Sequence, residues 1–366
     1  MSHRLILLPG DGIGPEVTAA ARKVLDASGA ELDWEVHEVG QLALAAGARA
    51  PLPAHVVDAI AECGVALKGS ITTPPDRSIP SVNIALRREL DLFANARHIR
   101  RLPGAPGLHD DVDLIIVREA TEDVYAGVEY PSGSPAAREL ADFVRARGGV
   151  LPGEAAVALK VTSPGGARRA FEFAADYAER LGRHRLTAVH KATVLPGTDG
   201  LFVEVGRDVV AGRPGLDFDS MAVDAMAAHL VERPGELDML VAPCQYGDIL
   251  ADLGGALVGG IGMVPGVNFG GTHVGGVSVF EAAHGSAPRQ AGRNRANPVA
   301  MILSGVLALR HLGEDEAATR VEDAVGAVLT AGCFRTYDLT PGRTGLGSVG
   351  TEEFAMAVVR AIQDDC

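Results

Sequence analysis

The sequence predicts an α/β protein of two domains, and three observations carry that expectation. Its 366 residues exceed the size at which a single core usually stops growing. Apolar runs with helix period and strand period alternate along the chain. The first strand and helix are joined by a glycine turn, Gly10-Asp-Gly-Ile-Gly-Pro-Glu16, as a βα unit requires.

In chain order, Leu5 to Leu8 reads as a buried strand and Val17 to Leu25 as the helix after that turn. Such a turn can cradle a phosphate at a helix N-terminus. It is not GxGxxG, however, and no acidic residue ends a second strand at the expected distance. A tight βα connection is therefore preferred to a Rossmann dinucleotide site. Val56 to Ile60 reads as helix and Val65 to Gly69 as strand.

Ser81 is a helix N-cap, and Ile84, Leu86 and Leu90 follow with helical periodicity, so the stretch from Ser81 to Arg97 carries Arg87 and Arg97. The strand Asp113 to Val117 ends on a third arginine, Arg118. Guanidinium forks grip carboxylates bidentately, so three that converge suit a di- or tricarboxylate; the alternative is surface charge, the usual fate of a helical arginine. Between Glu129 and Glu154 the chain turns to Pro, Gly, Ser and Arg without a clear strand, a candidate protruding arm.

A helix from Arg168 to Leu181 and a strand from Leu186 to His190 lead to Lys191, which in a cleft can have its pKa lowered by burial and move protons, and otherwise is solvated. In Tyr246-Gly-Asp-Ile-Leu-Ala-Asp-Leu-Gly-Gly255, Asp248 and Asp252 stand one helical turn apart. Like charges at that spacing repel, and a hard divalent cation between them reverses the sign. A solvated helix face is the other reading. The small-residue stretch from Phe280 to Gly292 then leads into the apolar helix Val299 to Leu309. A loop of that kind commonly holds a ligand.

Composition excludes some functions. A net charge of −14 without a long basic run argues against nucleic acid and anionic membranes. Only Lys23, Lys68, Lys160 and Lys191 interrupt an arginine-rich basic set, so each lysine merits inspection. Cys63, Cys244, Cys333 and Cys366 show no metal spacing, which predicts reduced thiols in a cytoplasm. The N-terminal apolar run is too short for a signal peptide, and no apolar stretch approaches the roughly 20 residues of a membrane span.

Five stretches stand in the order and spacing of one known family: the Gly10 turn, Arg118-Glu-Ala-Thr-Glu-Asp-Val-Tyr125-Ala-Gly, Val189-His-Lys-Ala192, Tyr246-Gly-Asp-Ile-Leu-Ala-Asp252 and His284-Gly-Ser-Ala-Pro288. From Leu5 to about Phe354 the chain resembles the β-decarboxylating dehydrogenases, which include isocitrate, 3-isopropylmalate, homoisocitrate and tartrate dehydrogenases. The resemblance implies an isopropylmalate-dehydrogenase-like, non-Rossmann fold of mixed sheets flanked by helices. It implies one domain from residues 1–98 and 256–366 that binds the cofactor, one from 99–255 that binds substrate and dimerises, and an arm at about 129–154. It also implies a homodimer with shared active sites.

On that pattern Arg87, Arg97 and Arg118 clamp the substrate carboxylates, while Asp248 and Asp252 bind Mg²⁺ or Mn²⁺ with Asp224 from the partner subunit. Lys191, also from the partner, assists proton removal from the hydroxyl, and Tyr125 protonates the enol. Thr73, His284, Gly285, Ser286, Ala287, Arg289, Asn297 and Tyr337 hold the nicotinamide cofactor. Ser81 and Asn83 are similar to the isocitrate enzymes, whose Ser and Asn contact the variable carboxylate; the isopropylmalate enzymes carry apolar residues there. Arg289 occupies the position where NAD-dependent relatives carry Asp and NADP-dependent ones a basic residue, so with Tyr337 it favours NADP over NAD.

Departures are Thr193 for an Asn, Cys244-Gln245 for an Asn-x pair, His98 for a Pro, and a longer stretch from Asn268 to Gly276. They leave room for homoisocitrate, 3-isopropylmalate or a phosphonate analogue, 2-phosphonomethylmalate. A non-catalytic regulatory subunit typically lacks a metal aspartate, the tyrosine or the lysine. All five of these residues are present.

Overall fold

The computed structural model describes residues 2–74, 81–271 and 276–364. Its first half runs β1 (His3–Leu8), α1 (Gly14–Asp26), β2 (Leu32–Val36), α2 (Gln41–Ala45), α3 (Ala54–Cys63), β3 (Val65–Lys68), α4 (Val82–Glu89), β4 (Leu92–Arg100), β5 (Asp113–Glu119), β6 (Glu129–Tyr130), α5 (Pro135–Arg145) and β7 (Val157–Ala158). Then follow α6 (Pro164–Leu181), β8 (Arg185–His190), α7 (Asp199–Ala211), β9 (Asp217–Ala222), α8 (Val223–Glu232), β10 (Met239–Ala242), α9 (Cys244–Leu257), β11 (Pro265–Gly270), β12 (Ser278–Ala282), α10 (Val299–His311), α11 (Asp315–Ala331) and α12 (Thr351–Asp364).

Ten strands form one sheet in the order β2-β1-β3-β12-β11-β4-β5-β10-β8-β9. Its two flanks are parallel, while β12, β11, β4 and β5 run antiparallel to one another in sequence across the centre. Alternation along a strand sends neighbouring side chains to opposite faces. On β1, Leu5 and Leu7 join the larger core and Ile6 and Leu8 the smaller one. Helices cover both faces: α6 and α10 on one, α4 and α9 on the other. The expected domain boundaries both fall inside continuous elements, 98/99 within β4 and 255/256 near the end of α9.

Four expectations are corrected. Helix α4 ends at Glu89, and Arg97 lies on β4, buried. Asp91 turns the chain between them with φ +47°, a conformation for which glycine is the usual signal. Ile84 does not share the buried face with Leu86; it is 49% exposed. The 129–154 segment contains a strand, the two-residue β6 paired with β7, and also helix α5, of which only Ala137 and Ala141 are buried. Phe280 to Ala282, read as loop, ends strand β12. Residues 272–275, within the stretch from Asn268 to Gly276, lie outside the described residues. No described helix is long and apolar enough to cross a membrane.

Candidate active site

Three antiparallel pairings separate the two parallel flanks, which therefore run in opposite directions, and the expected side chains sit at strand ends of both flanks. Arg118 ends up buried near the close of β5, and α9 follows directly from β10 beside it. The helix can lie this close because position 247 is glycine: a Cβ there would sit 2.5 Å from that of Arg118. In the second turn of α9, Asp248 accepts a short ion-paired hydrogen bond from Arg118. Tyr125, on a one-turn helix at Asp123–Ala126, donates its hydroxyl to the other oxygen of Asp248 at 2.7 Å.

The two aspartates of α9 are shifted in opposite directions. Burial works to raise the Asp248 pKa, but the Arg118 charge and the Tyr125 hydroxyl overcome it and hold the group below its ordinary value. Burial and then the Asp248 charge push Asp252 upward. Asp252 has no hydrogen-bond or ion-pair partner among the described residues. Two carboxylates one turn apart, one of them repelled and partnerless, form a donor set that fits a hard divalent cation, which commonly takes one or two carboxylates with water and substrate oxygens. Tyr125 is raised well above 10, first by burial and next by its bond to Asp248, so it stays a phenol.

Beside this cluster lies a buried polar block. Glu281 accepts from Lys68 at 2.7 Å, Arg97 at 3.1 Å and Asn268 at 2.9 Å. Burial alone would raise Glu281, yet Lys68 and Arg97 hold it far below the usual carboxylate range. Arg97 is therefore anchored by Glu281, and both charges lie close enough to Arg87 to feel it. Asn83 keeps a buried side-chain oxygen without a partner, while the Ser81 hydroxyl accepts from the Ile84 amide at 3.4 Å as the cap of α4. Arg87, Ile84 and Tyr125 border a cavity of about 240 Å³. Burial pushes the Cys244 thiol up to about 11, so a neutral group faces Arg118 there.

Lys191 and Asp224 form a separate pair. The Lys191 ammonium donates to Asp224 at 2.5 Å, from the ends of the neighbouring strands β8 and β9. Among the described residues no third His, Cys, Asp or Glu of this chain joins Asp248 and Asp252 in a metal-holding group. Lys160, not assigned a role by its sequence context, bonds Asp123 at 2.7 Å and lies 3.4 Å from Asp199, with its ammonium over the Tyr246 ring.

Most of the residues expected to hold a cofactor gather around the Gly10 turn. Two of its amides tie it to neighbouring segments: Asp11 donates to the Ser70 carbonyl at 2.7 Å and Ile13 to that of Ser286 at 2.8 Å. Gly12 is glycine because a Cβ would meet the Ser286 carbonyl oxygen at 2.0 Å. The turn thus fastens the His284 loop rather than cradling a phosphate. A cavity of about 250 Å³ next to it is lined by Ile13, His284, Gly285, Ala287, Asn297 and Tyr337. His284 leaves Nε2 buried and unpaired, and burial lowers its pKa, so a neutral imidazole with free hydrogen-bonding capacity faces a nucleotide-sized space. Asn297 donates to Asp338 at 3.0 Å, and Thr72 bonds Ser286 at 2.7 Å beside the exposed Thr73. Arg289 is exposed, and it is Arg295 that stacks on Tyr337 at 5.1 Å.

Lys68, Glu281 and Asn268 were missed by sequence reasoning. The scarcity of lysine pointed to Lys68, but nothing local linked it to Glu281.

Comparison with known proteins shows the family. Residues 4–358 match the family model described as isocitrate/isopropylmalate dehydrogenase. The chain is 39% identical over 352 residues to isocitrate dehydrogenase [NAD] catalytic subunit 5, mitochondrial, of Arabidopsis thaliana, covering 96% of this chain and 86% of that one. It is 35% identical over 358 residues to isocitrate dehydrogenase [NAD] subunit alpha, mitochondrial, of Homo sapiens, covering 98% and 90%. The crystal structure of isocitrate dehydrogenase from Methylococcus capsulatus superposes with a TM-score of 0.87 at 38% identity, covering 99% of both chains.

Proposed function

Because the chain belongs to the isocitrate/isopropylmalate dehydrogenase family, we propose that it oxidises and decarboxylates isocitrate or an isocitrate-like 3-substituted malate, with a nicotinamide as hydride acceptor. The observation that carries this reading is the Tyr125–Asp248–Arg118 cluster beside the partnerless Asp252, flanked by the anchored Arg97.

Each residue has a defined task. Arg118, Arg97 and Arg87 bind and orient the carboxylates, and Glu281 fixes the angle of Arg97. Asn83, with its unpaired oxygen, and Ser81 meet the variable group. A bound Mg²⁺ or Mn²⁺, held by Asp248 and Asp252, supplies Lewis acidity toward the oxygen that becomes negative when CO₂ leaves. Tyr125, kept protonated, delivers a proton to the enolate carbon. Lys191 assists removal of the hydroxyl proton and Asp224 completes the metal site, both reaching the site from the second copy of a homodimer clasped by the arm. His284, Gly285, Ser286, Ala287, Asn297, Thr73 and Tyr337 bind the nicotinamide cofactor. In this reading residues 1–98 plus 256–366 form the cofactor-binding domain and residues 99–255 the domain that binds substrate and dimerises.

A panel of isocitrate, homoisocitrate, 3-isopropylmalate, tartrate and 2-phosphonomethylmalate, each with NAD and NADP and either metal, tests the chemistry. Highest kcat/KM on 3-isopropylmalate would remove Ser81 and Asn83 from the substrate site, and no reduced nicotinamide from any member would leave the regulatory-subunit reading. For the cofactor, the relatives quoted carry NAD in their names, whereas the exposed Arg289 suits a 2′-phosphate. The NADP reading predicts that Arg289→Asp lowers the NADP/NAD ratio of kcat/KM, and an unchanged ratio sinks it. Sedimentation of the purified chain decides the homodimer, and Lys191→Met mixed with Tyr125→Phe regains activity only if sites are shared. Cell fractionation tests the cytoplasmic reading, against the mitochondrial naming of the relatives.

A further inference from the structure

A third cavity, of about 320 Å³, lies on the far side of the sheet from the substrate cluster, between α6 and α10. Its floor is apolar, with Ile115, Phe269, Phe280, Leu303 and Val306. Four guanidinium groups stand around it, those of Arg100, Arg180, Arg183 and Arg310, against two lining carboxylates, Asp113 and Glu322. Glu322 is shared by Arg100, at 2.8 Å, and Arg310, while Arg183 holds Asp113 at 2.5 Å. Arg180 has no carboxylate partner among the described residues and lies 5.9 Å from the Tyr177 ring. His98 adds no charge: its Nε2 bonds the Tyr177 hydroxyl at 2.7 Å, and burial pushes it down to about 3.

The position of this cavity matters because the sheet is one residue thick. On β4, Arg97 faces Glu281 and the next residue, His98, faces the cavity. On β12, Glu281 and Phe280 divide in the same way, and on β11 so do Asn268 and Phe269. Side chains of adjacent residues on a strand point to opposite faces, so whatever shifts His98, Phe280 or Phe269 also moves the backbone that aims Arg97 and Glu281.

We propose that this cavity is a second ligand site, for a small carboxylate with an apolar body, and that its occupation changes the grip of Arg97 on the substrate. The net positive rim selects the anion, with Arg180 as its free partner. The apolar floor selects the body, and a volume at the small end of ligand pockets limits it to a single ring or a short branched chain. This inference does not depend on which malate is the substrate.

Calorimetry on the full chain, without substrate or nicotinamide, tests the site with phenylacetate, benzoate and 3-methylbutanoate. At least one is expected to bind once per chain, with phenylacetamide more than tenfold weaker than phenylacetate. Arg180→Glu, on the surface of α6, is expected to weaken binding more than tenfold, and Leu307→Trp to abolish it by filling the space. Absence of binding by all three acids, or equal binding to Arg180→Glu, overturns the site. Because no turnover is read, failure here is separate from failure of the proposed reaction. The coupling is tested by KM for the best substrate of the panel, expected to shift at least threefold at a saturating level of the acid that binds; an unmoved KM overturns it.

Discussion

The buried block around Glu281 and the half-open pair Asp248 and Asp252 are neighbours with opposite accounting. Glu281 receives three donors from three other strands, Lys68, Arg97 and Asn268, and is deeply buried. Asp252, one turn beyond a carboxylate already tied to Arg118 and Tyr125, has none among the described residues and is pushed toward protonation. A charge taken out of water must find its partners within the fold. A charge left at a cleft without one is held ready for something that arrives later. The first region is internally satisfied, and the second keeps a carboxylate open to a ligand.

The largest expected effect attacks the satisfied side. Glu281→Ala leaves Lys68 and Arg97 buried without their carboxylate and is expected to cost about 3–5 kcal/mol in urea unfolding. A loss under about 1 kcal/mol would erase the distinction drawn above. Tyr125→Phe attacks the open side: kcat is expected to fall by about 10²–10⁴ with an unchanged unfolding midpoint. A matching loss of stability would make Tyr125 structural instead.

Acid should separate the regions next. Glu281 has a folded pKa far below its ordinary 4.5, so its contribution is complete above that value and drains away as pH falls toward the folded value. His98 works in the same direction from higher pH, since the unfolded chain takes up its proton near 6.5 and the folded chain only near 3. Stability is thus expected to fall between pH 6.5 and 3, by up to about 1.4 kcal/mol per pH unit for each group while its titration differs between the two states. His98→Asn should flatten the upper part of that curve, and an identical curve would remove His98 as a cause. The smallest stability effect is at Asp252→Asn, which relieves like-charge repulsion and should stabilise the metal-free protein by a few tenths of a kcal/mol. The same change should weaken Mn²⁺ binding by at least about tenfold, read by calorimetry. Unchanged Mn²⁺ affinity would mean that Asp252 is only a solvated face.

Much of the candidate site was legible because its signals are local. The i, i+4 spacing of Asp248 and Asp252, the Ser81 cap, and the arginine closing an apolar strand are read from neighbours in sequence, and the corresponding elements are α9, α4 and β5. The position of Arg97 was not legible. Asp91 supplies the left-handed turn between α4 and β4 without the Gly or Pro that normally marks a stop, so the helical pattern ran on through a strand. Helix α5 was hidden similarly, because a segment rich in Pro, Gly and Ser reads as loop even when Ser134 caps a helix whose bond to the Ala137 amide is 3.2 Å long.

By itself the sequence determined the alternation of strands and helices, the family, and which residue types stand at the strand ends, since periodicity and motif spacing are properties of adjacent residues. Only the tertiary structure decided that Lys68 and Glu281, 213 positions apart, meet at 2.7 Å, and that Arg97 and His98 serve opposite faces of one sheet. Such pairings depend on strand order and register, which long-range packing sets and no local pattern records.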